Sequence, residues 1–267
     1  MAFIYPDLTN PLDAVLLVAC LIFAIVGVFA NALSVPFLNN SGGLLTYSKF
    51  AANVTFGISI PSKWGMFLFY FPSMCFGIFY YVHIQESLSC FLAIIHFAKR
   101  TMECLMLHRF SGTMPLASSI FITSLYLLVT FSECYYVKRE DDDQNNELSN
   151  DLHNAHALGL ALFAIGASGN LYHHYLLANL RRPGENAYKV PEGGLFRFVA
   201  APHYLFEVIG WLGIGVVSQH TMNVFVCAAQ FLYLADRAKR QTEWYLEHKH
   251  LKDKYPRDRK HLIPYIY

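Results

Sequence analysis

The chain has 267 residues, of which 55% are apolar and 15% charged, with a formal net charge of +1. Globular proteins carry about 25% charged residues, so this composition excludes a water-soluble surface as the main design. The balanced charge, with no block of Lys and Arg interleaved with aromatics, excludes a nucleic-acid partner.

The expected fold is all-α and membrane-integral. The first ten residues contain Asp7 and no Lys or Arg. The apolar run after them is too long for the core of a cleaved signal peptide. Residues 12–30 therefore read as a first spanning helix, which needs about 20 apolar residues. Residues 64–82 are apolar and aromatic-rich. Residues 88–107 start apolar but carry His96, Lys99, Arg100 and Glu103. Residues 116–137 are clean until Glu133. Residues 155–177 hold Asn170, His173 and His174 in their second half, and residues 198–218 carry His203 and Glu207. Residues 222–235 form a short last span that lengthens if the helix tilts or begins at Gln219. These make seven transmembrane helices in a single membrane domain, 1–267.

Two segments read as lying outside the membrane. Residues 140–151 (EDDDQNNELSND) are an acidic solvated loop, and residues 236–267 a charged tail. The six cysteines lie in or beside apolar runs and form no CxxC pair, so they read as small apolar side chains.

Orientation follows the placement of basic residues. Seven spans put Lys49, Lys63, Lys99, Arg100, Arg109, Arg181, Arg182, Lys189, Arg197 and nine basic residues of the tail on the C-terminal side, and only Lys138 and Arg139 on the other. The C-terminus is then cytosolic and the N-terminus lumenal.

Charged groups inside a membrane cost about 2.5–3.5 kcal/mol at its centre, which marks them as functional candidates. Lys99, Arg100 and Glu103 lie near the cytosolic end of the third span. Asn170 and His174 share one face of the fifth at i, i+4, and His203 and Glu207 repeat that spacing on the sixth. All approach the same membrane face, which points to a polar cavity open to the cytosol. Snorkelling and helix–helix hydrogen bonding are the plainer reading of any one of them. The loop NLRRPGENAYKVPEGGLFR (179–197) adds arginines, which bind phosphate in bidentate fashion, and glycines, which allow close backbone approach. That fits a phosphorylated cofactor. The histidines lack the repeated boxes of a di-iron centre, so no metal is expected.

The stretches GNLYHHYLLANLRRPGENAYKVPEGGLF, PHYLFEVIGWLG, WYLEHKH and the ending LIPYIY, within residues 166–267, resemble the steroid 5α-reductase family in order and spacing. The resemblance implies a seven-span helical protein of the endoplasmic reticulum. It also implies NADPH-dependent reduction of a C=C bond conjugated to a carbonyl in a small lipid. Upstream, HFAKRTMECLMLHRFSGTMPL (96–116) and Pro202-His203-Tyr204 look more like the very-long-chain trans-2-enoyl-CoA reductase branch. The steroid branch carries a Gln-Glu pair in the second span and a Tyr after the His of the third; here Phe69-Tyr70 and Phe97 stand there. The chain also starts without the ubiquitin-like domain common in the enoyl-CoA branch. It looks like a plant-type member between the two branches.

By that resemblance, cofactor contacts fall on Asn170, Arg181, His203, Arg237 and Tyr245, with Arg100 beside the same cavity. His174 and His203 replace an expected Asp and Asn and keep hydrogen-bonding capacity. The Tyr and Lys of the enoyl-CoA branch match Tyr204 and Lys99. Tyr204 is then the proton donor or the polariser of the carbonyl oxygen. Lys99 would lower the Tyr204 pKa or hold phosphate, with Glu103 orienting it. A 3-oxo-Δ4 steroid is the leading substrate expectation. An enoyl-CoA, and a catalytically silent lipid-binding homologue, are the alternatives.

Overall fold

The computed structural model describes residues 3–7, 9–15, 17–18, 57–110, 112–137, 146–181, 185 and 187–267. Besides the helical residues 11–15 and 17–18, the α-helices among them are α1 (Ser62–His83), α2 (Leu88–Met102), α3 (Leu116–Tyr135), α4 (Asn146–Asn179), α5 (Pro202–Ser218) and α6 (Thr221–Glu247). They fall in order on the second to seventh expected spans. Most of the expected first span lies outside the described residues. Helices α1 and α3 are long and apolar enough to cross a membrane.

Local chemistry sets the helix starts. The Ser87 hydroxyl accepts from the Cys90 amide at 3.2 Å and caps α2. Pro202 opens α5, where a missing amide hydrogen costs nothing. The expected span beginning at 198 therefore starts as helix four residues later. Strands β1 (Ser59–Pro61) and β2 (Thr113–Pro115) pair antiparallel, with Ile60 opposite Met114. This short ribbon fixes the starts of α1 and α3 side by side. The core beneath it gathers Phe69, Phe97, Met114, Trp211 and Ile214.

Three expectations are corrected. Residues 146–151 of the expected acidic loop are helical, because α4 begins at Asn146. At 1.5 Å per residue its 34 residues run about 50 Å, well beyond a hydrocarbon core of about 30 Å. The tail is not a tail at its start, because α6 continues to Glu247. Pairs at i, i+4 (Arg240 with Asp236, Lys239 with Glu243) support those polar turns. After α6 the chain folds back, and Val199 and Lys260 form a parallel bridge that pins it to the entry of α5.

The third correction concerns cysteines. Cys90 at the start of α2 and Cys134 at the end of α3 form a disulfide across 44 residues. No local motif announces it, because only helix packing brings the two positions together. Cys90→Ser should lower stability by about 2–4 kcal/mol, read by thermal unfolding in detergent. Alkylation before reduction should leave both residues unlabelled.

Candidate active site

The C-terminal end of α2 presents Lys99, Arg100 and Glu103, then widens into a π-helical turn, Glu103–Leu107, closed by His108 N–H donating to the Glu103 carbonyl at 2.8 Å. Such turns recur at functional sites. Glu103 is buried between two cations. Arg100 Nη1 donates to its Oε2 at 2.5 Å, and Lys99 Nζ to its Oε1 at 2.9 Å. Arg100 Nη2 donates to the Tyr70 hydroxyl at 2.8 Å. His174 Nδ1 lies 2.9 Å from Arg100 Nη1 and 3.0 Å from Glu103 Oε2, so its tautomer decides which one it serves.

A junction residue joins this group to α5. The Asn170 carbonyl oxygen accepts from Lys99 at 2.5 Å, while its amide nitrogen donates to Glu207 Oε2 and to the His203 carbonyl, each at 2.9 Å. Glu207 Oε1 also meets His96 Nε2 at 3.3 Å. Within this network two cations thus pair with Glu103, and Glu207 is held by Asn170 and His96, so each buried carboxylate here has partners, which is the condition for tolerating it. Glu103, His108 and His174 bring potential metal ligands within 4.8 Å of one another. Arg100 Nη1 contacts two of the three, so a guanidinium holds the position a metal would need. Burial, with Arg100 and His174 alongside, pushes His108 down to about 3, so it adds no charge there at neutral pH.

In front of this network is a cavity of about 320 Å³. Arg100, His174, Arg181, His203, Tyr204, Arg237 and Tyr245 all line it, while Asn170 and Glu103 are buried and, like the half-buried Lys99, do not line it. On α6 the lining runs from Tyr245 through Arg237 to Gln230, about 22 Å of helix. Its loop end is cationic, with Arg109, Arg181 and Lys189; its inner end is apolar, with Met66, Ile122 and Val129.

Tyr204 takes a hydrogen bond from Arg237 Nε at 2.9 Å. The cation bonded to Tyr204 is therefore Arg237, while Lys99 is bonded to Glu103 and Asn170. Tyr245 stacks on Tyr255 with ring centres 5.0 Å apart, and burial raises its hydroxyl pKa, keeping it neutral at working pH. The folded-back chain after α6 thus packs behind Tyr245, a lining residue.

Sequence reasoning placed Glu207 in the polar cluster through its i, i+4 spacing to His203 but gave it no role, and it left out Tyr70 and His96 as site residues. Those two carry no signal, because an isolated polar-tipped side chain in an apolar helix is ordinary.

Apolar helices around a polar, largely cationic cavity define a membrane-embedded helical protein with an internal binding site. The chain belongs to the 3-oxo-5-alpha-steroid 4-dehydrogenase family, which matches residues 112–267, and its members act on a CH–CH group. It is 30% identical to 3-oxo-5-alpha-steroid 4-dehydrogenase 1 of Rattus norvegicus, over 79% of this chain and 82% of the relative. It is 33% identical to a very-long-chain enoyl-CoA reductase of Dictyostelium discoideum, over 64% of this chain and 55% of the relative. It is also 33% identical to the steroid 5-alpha-reductase DET2 of Gossypium hirsutum, over 57% and 58%.

Proposed function

We propose that this protein reduces the C=C bond of an α,β-unsaturated carbonyl lipid, a 3-oxo-Δ4 steroid first, using NADPH at the cytosolic face of the endoplasmic reticulum membrane. The observation that carries the reading is the two-ended cavity, cationic at its loop end and apolar inside. The distribution of Lys and Arg supports a cytosolic mouth and a lumenal N-terminus.

The residues present fit such a cofactor. Arg109, Arg181, Lys189 and Arg237 supply the charge that phosphates require, and arginine does so with a fork of donors. Two lining residues carry buried polar atoms without a protein partner, His203 Nδ1 and Gln230 Nε2. Buried polar groups left so are unusual and suit a ligand's amide or hydroxyl groups. Bound there, NADPH supplies a hydride. As the acceptor's β-carbon gains it, the C=C electron pair moves onto the carbonyl oxygen, then returns to the α-carbon with a proton. In this reading Tyr204 gives that proton, and Arg237, hydrogen-bonded to its oxygen, holds the phenolate until water reprotonates it. Lys99 and Glu103 act at one remove, fixing the charge balance behind the wall.

The enoyl-CoA alternative draws on Lys99, Glu103 and the Pro-His-Tyr motif, and on the relative from Dictyostelium discoideum. Microsomes carrying the protein, given NADPH, should convert a 3-oxo-Δ4 steroid. Conversion of a long trans-2-enoyl-CoA alone would move the assignment to the other branch. Conversion of neither, with NADPH still bound, would make the chain a silent homologue. Tyr204→Phe should cost at least about 10²-fold in turnover; a variant with unchanged turnover removes Tyr204 from the chemistry.

A further inference from the structure

We propose that residues 260–267 form a membrane-interface anchor: a hook that seats Tyr265 and Ile266 among the lipids of the cytosolic leaflet, beneath anionic headgroups drawn in by the cations around it. This goes beyond the reductase reading and rests only on the membrane orientation given with it. Tyr265 and Ile266 are each 77% exposed, more than any other large apolar side chain among the described residues. The backbone is built to display them. The amides of Leu262 and Ile263 both donate to the Tyr267 carbonyl oxygen at 2.8 Å, and the Tyr267 amide donates to the Ile263 carbonyl at 3.1 Å. Closing that hook puts Tyr265 at φ 66°, a left-handed conformation that costs a non-glycine residue. Leu262 at its base is fully buried, so the hook is held firmly while its tip points outward.

The fold sets the depth of the hook. The amides of Ala200 and Ala201 donate to the Lys260 and His261 carbonyls at 2.8 and 3.2 Å, so the hook begins beside the entry of α5. The 17 residues of α5 rise about 25 Å, against a hydrocarbon core of about 30 Å, so that entry lies at the membrane edge. Leu262 packs with Ala201, Ala235 and Ala238, wedged between α5 and α6. The exposed tip therefore stands at headgroup level. The Phe198 ring, 5.5 Å from that of Tyr265, extends the patch. A contiguous exposed apolar patch marks a contact surface, and tyrosine favours this depth because one end is apolar and the other wet. Charge selects the occupant. Arg197, next to Phe198, and Lys260, at the base of the hook, are exposed. Four more exposed cations lie within residues 249–257, against two exposed aspartates, Asp253 and Asp258. The cytosolic leaflet carries anionic lipid, which attracts basic segments beside the membrane. Apolar tip and cationic collar together match that leaflet.

The test uses the full chain with Cys20 and Cys75 replaced by serine, spin-labelled at Ile266→Cys. It is reconstituted into vesicles of phosphatidylcholine, with or without phosphatidylserine. Power-saturation electron paramagnetic resonance compares collisions with oxygen, which concentrates in lipid, and with a neutral nickel chelate, which stays in water. The oxygen-to-nickel ratio at position 266 should exceed that of the same label at Lys249→Cys. It should rise further with phosphatidylserine, and Arg197→Glu with Lys260→Glu should abolish that rise. A label at 266 more open to nickel than to oxygen puts the hook in water and overturns the proposal. A label shielded from both reagents overturns it as well, since a protein then covers the patch. So does a ratio indifferent to phosphatidylserine, because the anchor would not read headgroup charge. Orientation is checked separately: in sealed microsomes a membrane-impermeant maleimide should label Lys249→Cys. Protection there overturns the proposed orientation and this anchor with it, whereas failure of the saturation test alone leaves the orientation and the reductase reading standing.

Discussion

Glu103→Ala is expected to destabilise the protein by about 3–5 kcal/mol, the range for removing one partner of a buried ion pair. The reason is the number of groups this carboxylate serves. It receives Arg100 on one oxygen and Lys99 on the other, and His174 lies against it as well. Glu103 is 3% exposed, so water cannot replace what is lost. Thermal melting in detergent should show the drop with and without NADPH. A double variant, Arg100→Met with Glu103→Ala, separates stability from chemistry. Deleting both charges should recover much of the loss, because well-packed apolar replacements of buried pairs are often neutral. Turnover should stay low in the double variant, since Arg100 lines the cavity and its charge is gone. If the single variant melted like the wild type, the network would not be carrying charge as described.

This network also marks what was legible in the sequence. The clustering at one face was readable from two i, i+4 pairs and from the charges ending the α2 segment. A helix wheel places Asn170 and His174 on one side, and the structure turns that side toward Lys99 and Arg100. What pairs with what was not readable. That Asn170 bridges Lys99 and Glu207 depends on where α4 crosses α2 and α5, and no spacing within one helix encodes a crossing. The length of α6 was missed for a different reason: apolar windows end where charges begin, whereas a helix continues as long as its propensity and pairing allow. The Cys90–Cys134 link was missed because its partners lie at the far ends of two helices.

The second large effect concerns that crossing. Helices α4 and α5 approach through Gly159 and Gly166 on one side and Gly213 on the other. A Cβ built at Gly166 would collide with the Gly210 backbone and stand 2.7 Å from the Phe206 carbonyl oxygen. At Gly213 it would stand 2.6 Å from the Gly159 carbonyl oxygen. Small residues allow such backbone approach between membrane helices. Gly166→Ala should therefore push the pair apart, since backbone cannot rotate away as a side chain can. The cost should be about 1–3 kcal/mol of overpacking. The functional loss should be larger, because the Asn170 bonds to Glu207 and His203 span this gap at 2.9 Å. A displacement of about 1 Å at a reacting geometry costs on the order of 10²-fold. Gly210→Ala supplies the contrast. A Cβ there meets nothing closer than 3.8 Å, an ordinary contact. It should hold wild-type turnover and gain up to about 1 kcal/mol from the helix preference of alanine over glycine. Equal effects from the two substitutions, in turnover and in melting temperature, would show that the close approach at Gly166 does not position the site.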